Sequence, residues 1–375
     1  MTQLPFPTGV PVTGEDLIGR EKDVADICDL VKLGQSVILI APRRFGKSSV
    51  LLEVLRRLKG AGVLVGLVDL FDVLSKKELA EKIVDSTLEN VRIKHFIRQL
   101  KEDVVNALKQ IEIKQTISEF EYTIAFSNMQ RDENELLESS LDFPEEFAVK
   151  KGRRLVFAYD EFSDLVKLNG ESLLKKMRAK FQRHKNVSYI FSGSQESLMN
   201  ELFLGKSSAF FRFGRIFRLK EIPLGAFARY IGDTFSKLKI RVQDELIDKI
   251  LGLTGCHPFY TQLLCQTIYL AVKGEKAKVD EADIKECHYR VILGEKAYFE
   301  DLWNRLRERK YALLVLKSVA LEEASPYKLG LNKQTVYRAL TNLERRGYIY
   351  RGENGNYRMV DPFFRDYLRF RRQEQ

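Results

Sequence analysis

The sequence has few cysteines and no long apolar run, and both absences restrict what the protein can be. Its four cysteines, Cys28, Cys256, Cys265 and Cys287, are too sparse for a disulfide scaffold and lack the spacing of a metal site. We therefore expect buried free thiols in a reducing cytoplasm. No apolar run approaches the length of a membrane span, and the N-terminus lacks a basic segment followed by an apolar one. Neither a membrane partner nor a secretory signal is expected.

The chain is rich in apolar and basic residues. Hydrophobic residues make up 45% and charged residues 30% of its 375 positions, which is typical of a soluble globular protein with two or three domains. Residues 305–375 hold 16 Lys and Arg against 8 Asp and Glu, so they carry most of the net charge of +10. Such a segment is typical of a module that contacts a phosphate backbone, although a solvated basic face has the same composition.

The most informative stretch lies between Ser36 and Gly60. The apolar run Val37 to Ala41 predicts a buried strand, and an amphipathic helix follows the loop that ends in Gly-Lys-Ser. Strand, loop and helix in this order are the context of a phosphate-binding P-loop, although a plain strand-to-helix turn could contain the same three residues. The residues predicted to bind ATP are Pro42, Arg43, Arg44, Phe45, Gly46, Lys47, Ser48 and Ser49.

The chemistry of such a loop assigns separate roles to its last residues. Lys47 is expected to reach the β- and γ-phosphates and to contribute to catalysis, and the Ser48 hydroxyl is expected to bind Mg²⁺. Ala41 stands where the usual motif has its first glycine. An alanine costs little at that position if its φ is negative.

A second predicted strand, Leu155 to Tyr159, ends in two carboxylates. The carboxyl end of a strand is where ligands bind in open α/β sheets. Asp160 is therefore predicted to hold the Mg²⁺ shell, and Glu161 to orient and deprotonate the attacking water. The alternative is that both carboxylates are solvated and cap the following helix.

Two further groups of polar residues follow predicted or aromatic segments. The strand Val187 to Phe191 precedes Ser192 and Ser194, which are alternative candidates for sensing the γ-phosphate; Ser194 is the one predicted to contact the nucleotide. Arginines recur at three-residue spacing at positions 212, 215 and 218, and arginine can neutralise charge on a transferring phosphoryl group. Pairing with local carboxylates or an interface is the alternative.

Two regions give weaker signals. Residues 92–150 combine a helical pattern over 93–111, β-forming residues over 113–125 and a helix from Asn134 to Val149 that is predicted to break near Pro144. We interpret them as an insertion or lid region.

Between residues 223 and 293 the pattern is helical, and His257 in a turn there could face a phosphate or be an ordinary loop histidine.

The last part of the chain predicts a winged helix-turn-helix. Its helices are expected over Tyr311 to Leu321, Pro326 to Leu329 and Lys333 to Arg346, with Asn332 as the N-cap of the third and a hairpin around residues 353–355. The outward-facing residues predicted to contact duplex DNA are Lys333, Gln334, Tyr337 and Arg338. The alternative is a protein-docking or autoinhibitory module.

Taken in order, these motifs resemble the archaeal-type ATPase family of the AAA+ and signal-transduction (STAND) branch, which is related to origin-recognition initiator ATPases. The segments that carry the resemblance are GRE at 19–21, APRRFGKSS at 41–49, VDLF at 68–71, FAYDEF at 157–162, FSGS at 191–194, FGR at 213–215, TGCHPFYTQLL at 254–264 and DPFFRDYLRF at 361–370. The resemblance implies an N-terminal arm over the adenine and an α/β P-loop core with a parallel sheet of the ASCE type. It further implies an α-helical lid and a C-terminal winged helix. It also implies that Arg215 is catalytic, that His257 and Pro258 form a lid turn near the nucleotide, and that the cofactors are ATP and Mg²⁺.

We therefore expect an arm plus P-loop core over residues 1–222, a lid over 223–300 and a winged-helix domain over 301–375. The expected function is slow or partner-stimulated ATP hydrolysis that repositions the basic C-terminal domain for DNA binding. The alternative is a nucleotide-gated signalling or scaffold protein with little turnover, whose winged helix docks protein and which assembles as a homo-oligomer with ATP.

Overall fold

The structure is a computed structural model that describes residues 5–90, 111–115, 122–126, 133–168, 170–321, 325–352 and 355–373. The strands are β1 (Val37–Ile40), β2 (Leu64–Asp69), β3 (Ile111–Gln115), β4 (Tyr122–Phe126), β5 (Leu155–Asp160), β6 (Val187–Gly193), β7 (Arg215–Arg218), β8 (Ile349–Arg351) and β9 (Tyr357–Met359). The α-helices are α1 (Glu21–Lys32), α2 (Lys47–Gly60), α3 (Lys76–Leu88), α4 (Glu133–Lys151), α5 (Gly170–Phe181), α6 (Glu196–Leu204), α7 (Leu224–Lys237), α8 (Asp244–Thr254), α9 (Pro258–Val272), α10 (Glu281–Gly294), α11 (Lys296–Arg307), α12 (Lys310–Leu321), α13 (Lys333–Arg345) and α14 (Pro362–Gln373).

A five-stranded parallel sheet in the order β2-β5-β6-β1-β7 lies at the centre of the core. Three of these strands, β1, β5 and β6, lie within two residues of the apolar runs that predicted them. β7 was not predicted, because its sequence has only two adjacent apolar residues, Ile216 and Phe217, flanked by arginines. The α/β P-loop core with a parallel sheet is the part of the expected fold class that this arrangement confirms.

Both faces of the sheet are covered by helices. Every residue of β1, β5 and β6 is buried, as expected for parallel strands that lie between two layers of helices. Alternate side chains of these strands join two separate hydrophobic clusters. One cluster packs against α1 and α2, and the other against helices α3 to α6. The carboxyl ends of β1, β5 and β6 consequently meet at one edge, beside the N-terminus of α2.

The region interpreted as an insertion differs from expectation in one respect. The helix predicted over Asn134 to Val149 is present as α4, but it continues through Pro144. Pro144 is buried in the same helical stretch as Leu141 and Phe147, so apolar packing offsets the hydrogen bond that proline cannot donate. The β-forming residues at 113–115 and 122–125 belong to the antiparallel strands β3 and β4, and residues 116–121 between them lie outside the described residues. The helix predicted over 93–111 lies outside the described residues, except for its last position.

The second half of the chain forms one continuous hydrophobic cluster through α7 to α14. After α12 the order is a short 3₁₀ helix, Pro326–Lys328, then α13, the antiparallel pair β8–β9 and α14. Part of the predicted 353–355 turn lies outside the described residues. Tyr260 on α9 donates a hydrogen bond to Asp361, which accepts from the backbone N–H groups that begin α14. The domain boundaries after residues 222 and 300 stay predictions.

The N-terminal arm is fixed to two different elements. The Val12 N–H donates to the Ser49 hydroxyl at 3.0 Å, and the Gly14 N–H donates to Glu53 at 3.1 Å, so the arm is attached to α2. The Gln266 amide donates to the Phe6 carbonyl at 3.2 Å, so the arm is also attached to α9. These contacts hold residues 6–14 across the gap between the core and the helices that follow it.

Within the described ranges, no helix is both long and apolar enough to cross a membrane. All four cysteines are free thiols, and three of them are buried. The cytoplasmic location expected from the cysteine content stays a prediction.

Candidate active site

The Gly-Lys-Ser loop connects β1 to α2 and turns sharply to do so. Gly46 is the N-cap of α2 and has a φ of +82°, a left-handed conformation that favours glycine. A Cβ built on Gly46 would meet no atom within 4 Å, so open space lies beside this part of the backbone. The unpaired N–H groups at the start of α2 border the same loop, which makes it suited to hold an anion.

Lys47 lies at the centre of a buried polar cluster. Its ammonium contacts Asp160 Oδ1 at 2.5 Å and Glu161 Oε1 at 3.2 Å, and it donates to the Ser192 hydroxyl at 3.0 Å. Ser48 donates to Asp160 Oδ2 at 3.0 Å. The lysine, the hydroxyl and both carboxylates were predicted separately from two motifs more than a hundred residues apart, and the parallel sheet brings them together. We call Lys47, Ser48, Asp160, Glu161, Ser192 and Ser194 the phosphate-site cluster.

The protonation of Asp160 depends on its neighbours. Burial alone would raise its pKa, but the Lys47 ammonium and the hydrogen bonds from Lys47 and Ser192 outweigh that effect. The pKa of Asp160 is therefore lowered, and the carboxylate stays ionised near neutral pH. An ionised carboxylate beside a hydroxyl is a donor pair that Mg²⁺ accepts.

Glu161 is held in an unusual backbone conformation, with a φ of +49°. Its Oε2 atom accepts from both the N–H and the hydroxyl of Ser194 at 3.0 Å, while Oε1 faces Lys47. A non-glycine residue in this region is strained, and such strain is often found at functional sites. Ser194 therefore contacts the predicted general base, whereas Ser192 contacts the lysine and Asp160.

The larger side chains of the P-loop point towards the lid helices instead of the phosphate-site cluster. The Arg44 guanidinium stacks 4.2 Å from the Phe259 ring and pairs with Glu295 at 3.4 Å. Phe45 is buried and meets the His257 ring edge-on at 4.7 Å. Pro42 and Arg43 lie between β1 and this contact, and Arg43 is exposed. The contacts of Arg44 and Phe45 with a nucleotide bound at Lys47 stay predictions.

His257 is not a cationic group in this structure. Burial, together with the Arg44 guanidinium, lowers its pKa to about 3, so the ring is neutral near pH 7. Its Nδ1 accepts from the Tyr260 N–H at 3.5 Å and caps α9, and Pro258 is the first residue of that helix. The structure therefore places both residues at the turn between α8 and α9, where His257 contacts the P-loop through Phe45. Their contact with a nucleotide stays a prediction.

The structure places the three arginines apart from the phosphate-site cluster. Arg215 pairs in register with Val37, at the amino end of β1, whereas the P-loop leaves the opposite end of that strand. Arg218 is at the carboxyl edge but donates to Asn200. Arg212 is exposed and its φ is +53°. A catalytic role for Arg215 stays a prediction, and this geometry does not bring it to Lys47 of the same chain.

Two contacts were not anticipated from the sequence. Ser49 accepts a hydrogen bond from the arm with its hydroxyl, and its predicted contact with nucleotide stays a prediction. Glu53 is buried on the apolar face of α2 and binds Arg56, Arg57 and the arm. The available signal was a lone carboxylate on an apolar helical face with arginines three and four residues later.

Comparison with known proteins gives both a family and a fold. A family model described as an ATPase domain predominantly from Archaea matches residues 17–263, more than half of the chain. A comparison with curated protein sequences found no match.

Three solved structures share the fold. A Walker-type ATPase of Pyrococcus abyssi is 17% identical, with a TM-score of 0.68 over 97% of this chain and 99% of its own. The ORC2 protein of Aeropyrum pernix in ADPNP–ADP complexes is 10% identical, with a TM-score of 0.55 over 99% and 98%. Cdc6p of Pyrobaculum aerophilum is 12% identical, with a TM-score of 0.50 over 98% and 97%. At these identities the likeness is one of fold.

Proposed function

Because this chain belongs to the family of ATPase domains found predominantly in Archaea, we propose that it binds ATP with Mg²⁺ at the P-loop and hydrolyses it. The observation that carries the proposal is the phosphate-site cluster. Lys47 and Ser48 begin α2, Asp160 ends β5 and Glu161 follows it. Lys47 nevertheless contacts both carboxylates, and Ser48 donates a hydrogen bond to Asp160. ATP hydrolysis needs this combination of a cation, a metal ligand and a base at one point.

The residues present fit a magnesium–nucleotide complex. Ser48 and Asp160 offer a hydroxyl and a carboxylate oxygen, both hard ligands of the kind that Mg²⁺ prefers. In the part of the chain that the structure describes, no group of three or more His, Cys, Asp or Glu side chains could hold a metal by itself. Mg²⁺ usually shares its ligands with substrate phosphates, so two protein ligands are sufficient. When bound, it would neutralise charge on the phosphates.

The side chains divide the reaction among them. The Lys47 ammonium stabilises negative charge on the β- and γ-phosphates, in place of its contacts with the two carboxylates. Glu161 orients a water molecule and accepts its proton while the water oxygen bonds to the γ-phosphorus and the bond to ADP breaks. Asp160 and Ser48 hold the metal side of the site. Slow or partner-stimulated turnover is consistent with the contacts of Glu161, because Lys47 and Ser194 already occupy both of its oxygens.

We further propose that the C-terminal segment is a winged helix-turn-helix that binds duplex DNA. The order α12, short helix, α13 and the β8–β9 pair supports the first part. Lys333, Gln334, Tyr337 and Arg338 are all exposed at the first turns of α13, and the Asn332 side chain caps that helix. A basic, amide-bearing helix N-terminus suits the major groove and its phosphates. A protein-docking role for the same face is the alternative.

A contact path supports nucleotide-dependent movement of α13. Ser194, which binds Glu161, is followed directly by α6, and α13 packs on α6. Arg345 at the end of α13 lies 3.9 Å from Glu201 on α6. A change in the Glu161–Ser194 contact would therefore be transmitted to the helix that carries the proposed DNA contacts.

A second candidate function is a scaffold that oligomerises with ATP. Arg215 is exposed at the amino end of β7, so its proposed catalytic role requires the nucleotide of a neighbouring subunit. Mixing Arg215→Ala subunits with Lys47→Ala subunits tests this candidate. Recovered turnover in the mixture supports action in trans, and turnover that stays absent contradicts it.

The experiment that tests the ATPase proposal compares wild type with Glu161→Gln. The substitution keeps the side-chain shape but removes the proton acceptor, so we expect ATP to stay bound and turnover to fall at least about a hundredfold. The matched control is Glu171→Gln on α5, an exposed carboxylate that pairs only with Lys175 among the described residues. Unchanged turnover in Glu161→Gln would refute the proposed mechanism.

A further inference from the structure

A large cavity lies where the core, the lid helices and the C-terminal segment meet. It has a volume of about 770 Å³, which is within the range of small-molecule sites. Its walls include Phe45 of the P-loop, the lid turn at His257 and both strands of the β8–β9 pair. None of Lys47, Ser48 and Asp160 lines it, so it is separate from the phosphate-site cluster.

Among the described residues, the cavity is lined by more cationic than anionic groups. These are three arginines, Arg351, Arg358 and Arg365, and one carboxylate, Glu221. Arg365 is neutralised locally, because it donates to both carboxylate oxygens of Asp366 at 2.8 and 3.3 Å. Within the part of the lining that the structure describes, the guanidiniums of Arg351 and Arg358 therefore give the cavity its positive charge.

Those two guanidiniums form no ion pair with a carboxylate among the residues that the structure describes. Arg351 donates to the Gly355 carbonyl at 3.2 Å, and Arg358 lies opposite Tyr350 in the β8–β9 register. The Tyr350 hydroxyl donates to Glu221 at 2.6 Å. A guanidinium with free donors in a cleft is suited to bind phosphate oxygens in bidentate fashion.

Aromatic rings lie beside both arginines. In the antiparallel register, Arg351 is opposite Tyr357 and Arg358 is opposite Tyr350, and the Arg351 guanidinium lies 5.8 Å from the Tyr357 ring centroid. Tyr327 of the short helix also lines the cavity. A nucleotide is recognised by two kinds of group: arginines bind its phosphates, and aromatic rings stack on its base. Both kinds line this cavity.

We propose that this cavity is a second nucleotide-binding site, which takes a nucleoside carrying one or two phosphates. Its occupant contacts the β8–β9 pair on one side and the Phe45–His257 contact on the other. Such a ligand therefore contacts the P-loop and the C-terminal segment at the same time. Arg351 and Arg358 bind the phosphates, and the tyrosines border the base.

The test is the number of ADP molecules bound per chain, measured by equilibrium dialysis on the full-length protein. We expect two for wild type, one for Lys47→Ala, one for Arg351→Ala/Arg358→Ala, and none for the triple variant. The matched control is Arg290→Ala/Arg305→Ala, which removes two exposed arginines that pair with carboxylates one turn earlier on α10 and α11. The control should keep both sites.

The outcomes separate this inference from the proposed ATPase function. One ADP per wild-type chain that is lost only in Lys47→Ala overturns the second site and leaves the P-loop assignment intact. One ADP per wild-type chain that is lost only in Arg351→Ala/Arg358→Ala supports the second site and contradicts ATP binding at the P-loop. Inorganic phosphate is the competitor in a second dialysis experiment with the Lys47→Ala protein. If phosphate at no more than about ten times the ADP concentration displaces ADP, the cavity binds a bare anion and the proposal is wrong.

Discussion

At the carboxyl edge of the sheet the polar groups are buried and bonded to one another, whereas on the exposed face of α13 they point into solvent. Lys47 contacts Asp160, Glu161 and Ser192 within 3.2 Å. By contrast, Lys333 and Arg338 are exposed. The protein itself fixes the geometry of the first region, so its chemistry can be derived from its contacts. The second region offers only charge and shape, and its partner has to be found by binding measurements.

The largest expected effect separates two basic residues of the same loop. Lys47→Ala should abolish ATP binding and lower turnover at least about a hundredfold, because its ammonium is the cation at the phosphates. Arg44→Ala should lower turnover less than about tenfold, because its guanidinium stacks on Phe259 and pairs with Glu295. Titration with ATP and a phosphate-release assay measure both. Equal losses in the two variants would mean that the loop acts as one cationic patch.

The next effect tests the exposed face. Lys333→Ala/Arg338→Ala should weaken binding to duplex DNA at least about tenfold. It should also reduce the slope of log affinity against log salt by roughly 2, since each cation releases about one counterion. Fluorescence anisotropy across a salt series measures both quantities, with Arg290→Ala/Arg305→Ala as the charge-matched control. An unchanged slope would favour the protein-docking alternative.

A smaller effect distinguishes the two serines of the phosphate-site cluster. Ser194→Ala removes the hydroxyl hydrogen bond to the Glu161 carboxylate and should raise basal turnover up to about tenfold. A hydrogen bond to a charged group is worth about 1.5–3 kcal/mol, and the Ser194 N–H keeps its own bond to the same oxygen. Ser192→Ala removes a partner of Lys47 and Asp160 and should not raise it. Steady-state turnover of both variants provides the comparison. A rise in Ser192→Ala alone would show that Ser194 does not restrain the base.

The smallest effect concerns a buried polar group for which no chemistry is proposed. The hydrogen bond from Arg56, helped by those from Arg57 and the Gly14 N–H, outweighs burial and lowers the pKa of Glu53 to about 2. The ionised Glu53 carboxylate therefore stabilises the folded state at pH values above its ordinary pKa of about 4.5. This stabilisation is lost as the pH falls from about 4.5 towards 2. Glu53→Gln should therefore lower the free energy of unfolding at pH 7 by about 1–2 kcal/mol.

The pH dependence checks the cause of that loss. The free energies of unfolding of wild type and Glu53→Gln, measured by urea denaturation, should become more similar as the pH falls from 7 to 3. Turnover at pH 7 should change less than in Lys47→Ala, because Glu53 does not contact the phosphate-site cluster. A difference that is constant with pH would mean that packing, not charge, stabilises the arm at this position.

The sequence was sufficient for those parts of the site that follow from chain order and sheet geometry. The P-loop is contiguous, and the carboxyl ends of parallel strands meet at one edge, so Lys47 and Asp160 could be expected to lie together. The resemblance to the archaeal-type ATPase family is confirmed by the family model. The five-stranded core is confirmed by the sheet order.

Features that depend on distant packing could not be predicted in the same way. Arg44 is directed by Phe259 and Glu295, more than two hundred residues later, and nothing in the loop sequence encodes that contact. The position of Arg215 depends on the register of β7 against β1, which two apolar residues flanked by arginines do not specify. α4 continues through Pro144 because of tertiary burial, which overrides the local preference of proline to end a helix.

The central claim is that the two regions form one DNA-responsive ATPase. The most direct test is ATP turnover of the purified protein with Mg²⁺, measured with and without saturating duplex DNA, while binding of that DNA is verified by anisotropy. The account predicts slow turnover alone and a severalfold rise with DNA, and neither in Glu161→Gln. Turnover that is indifferent to bound DNA would contradict it.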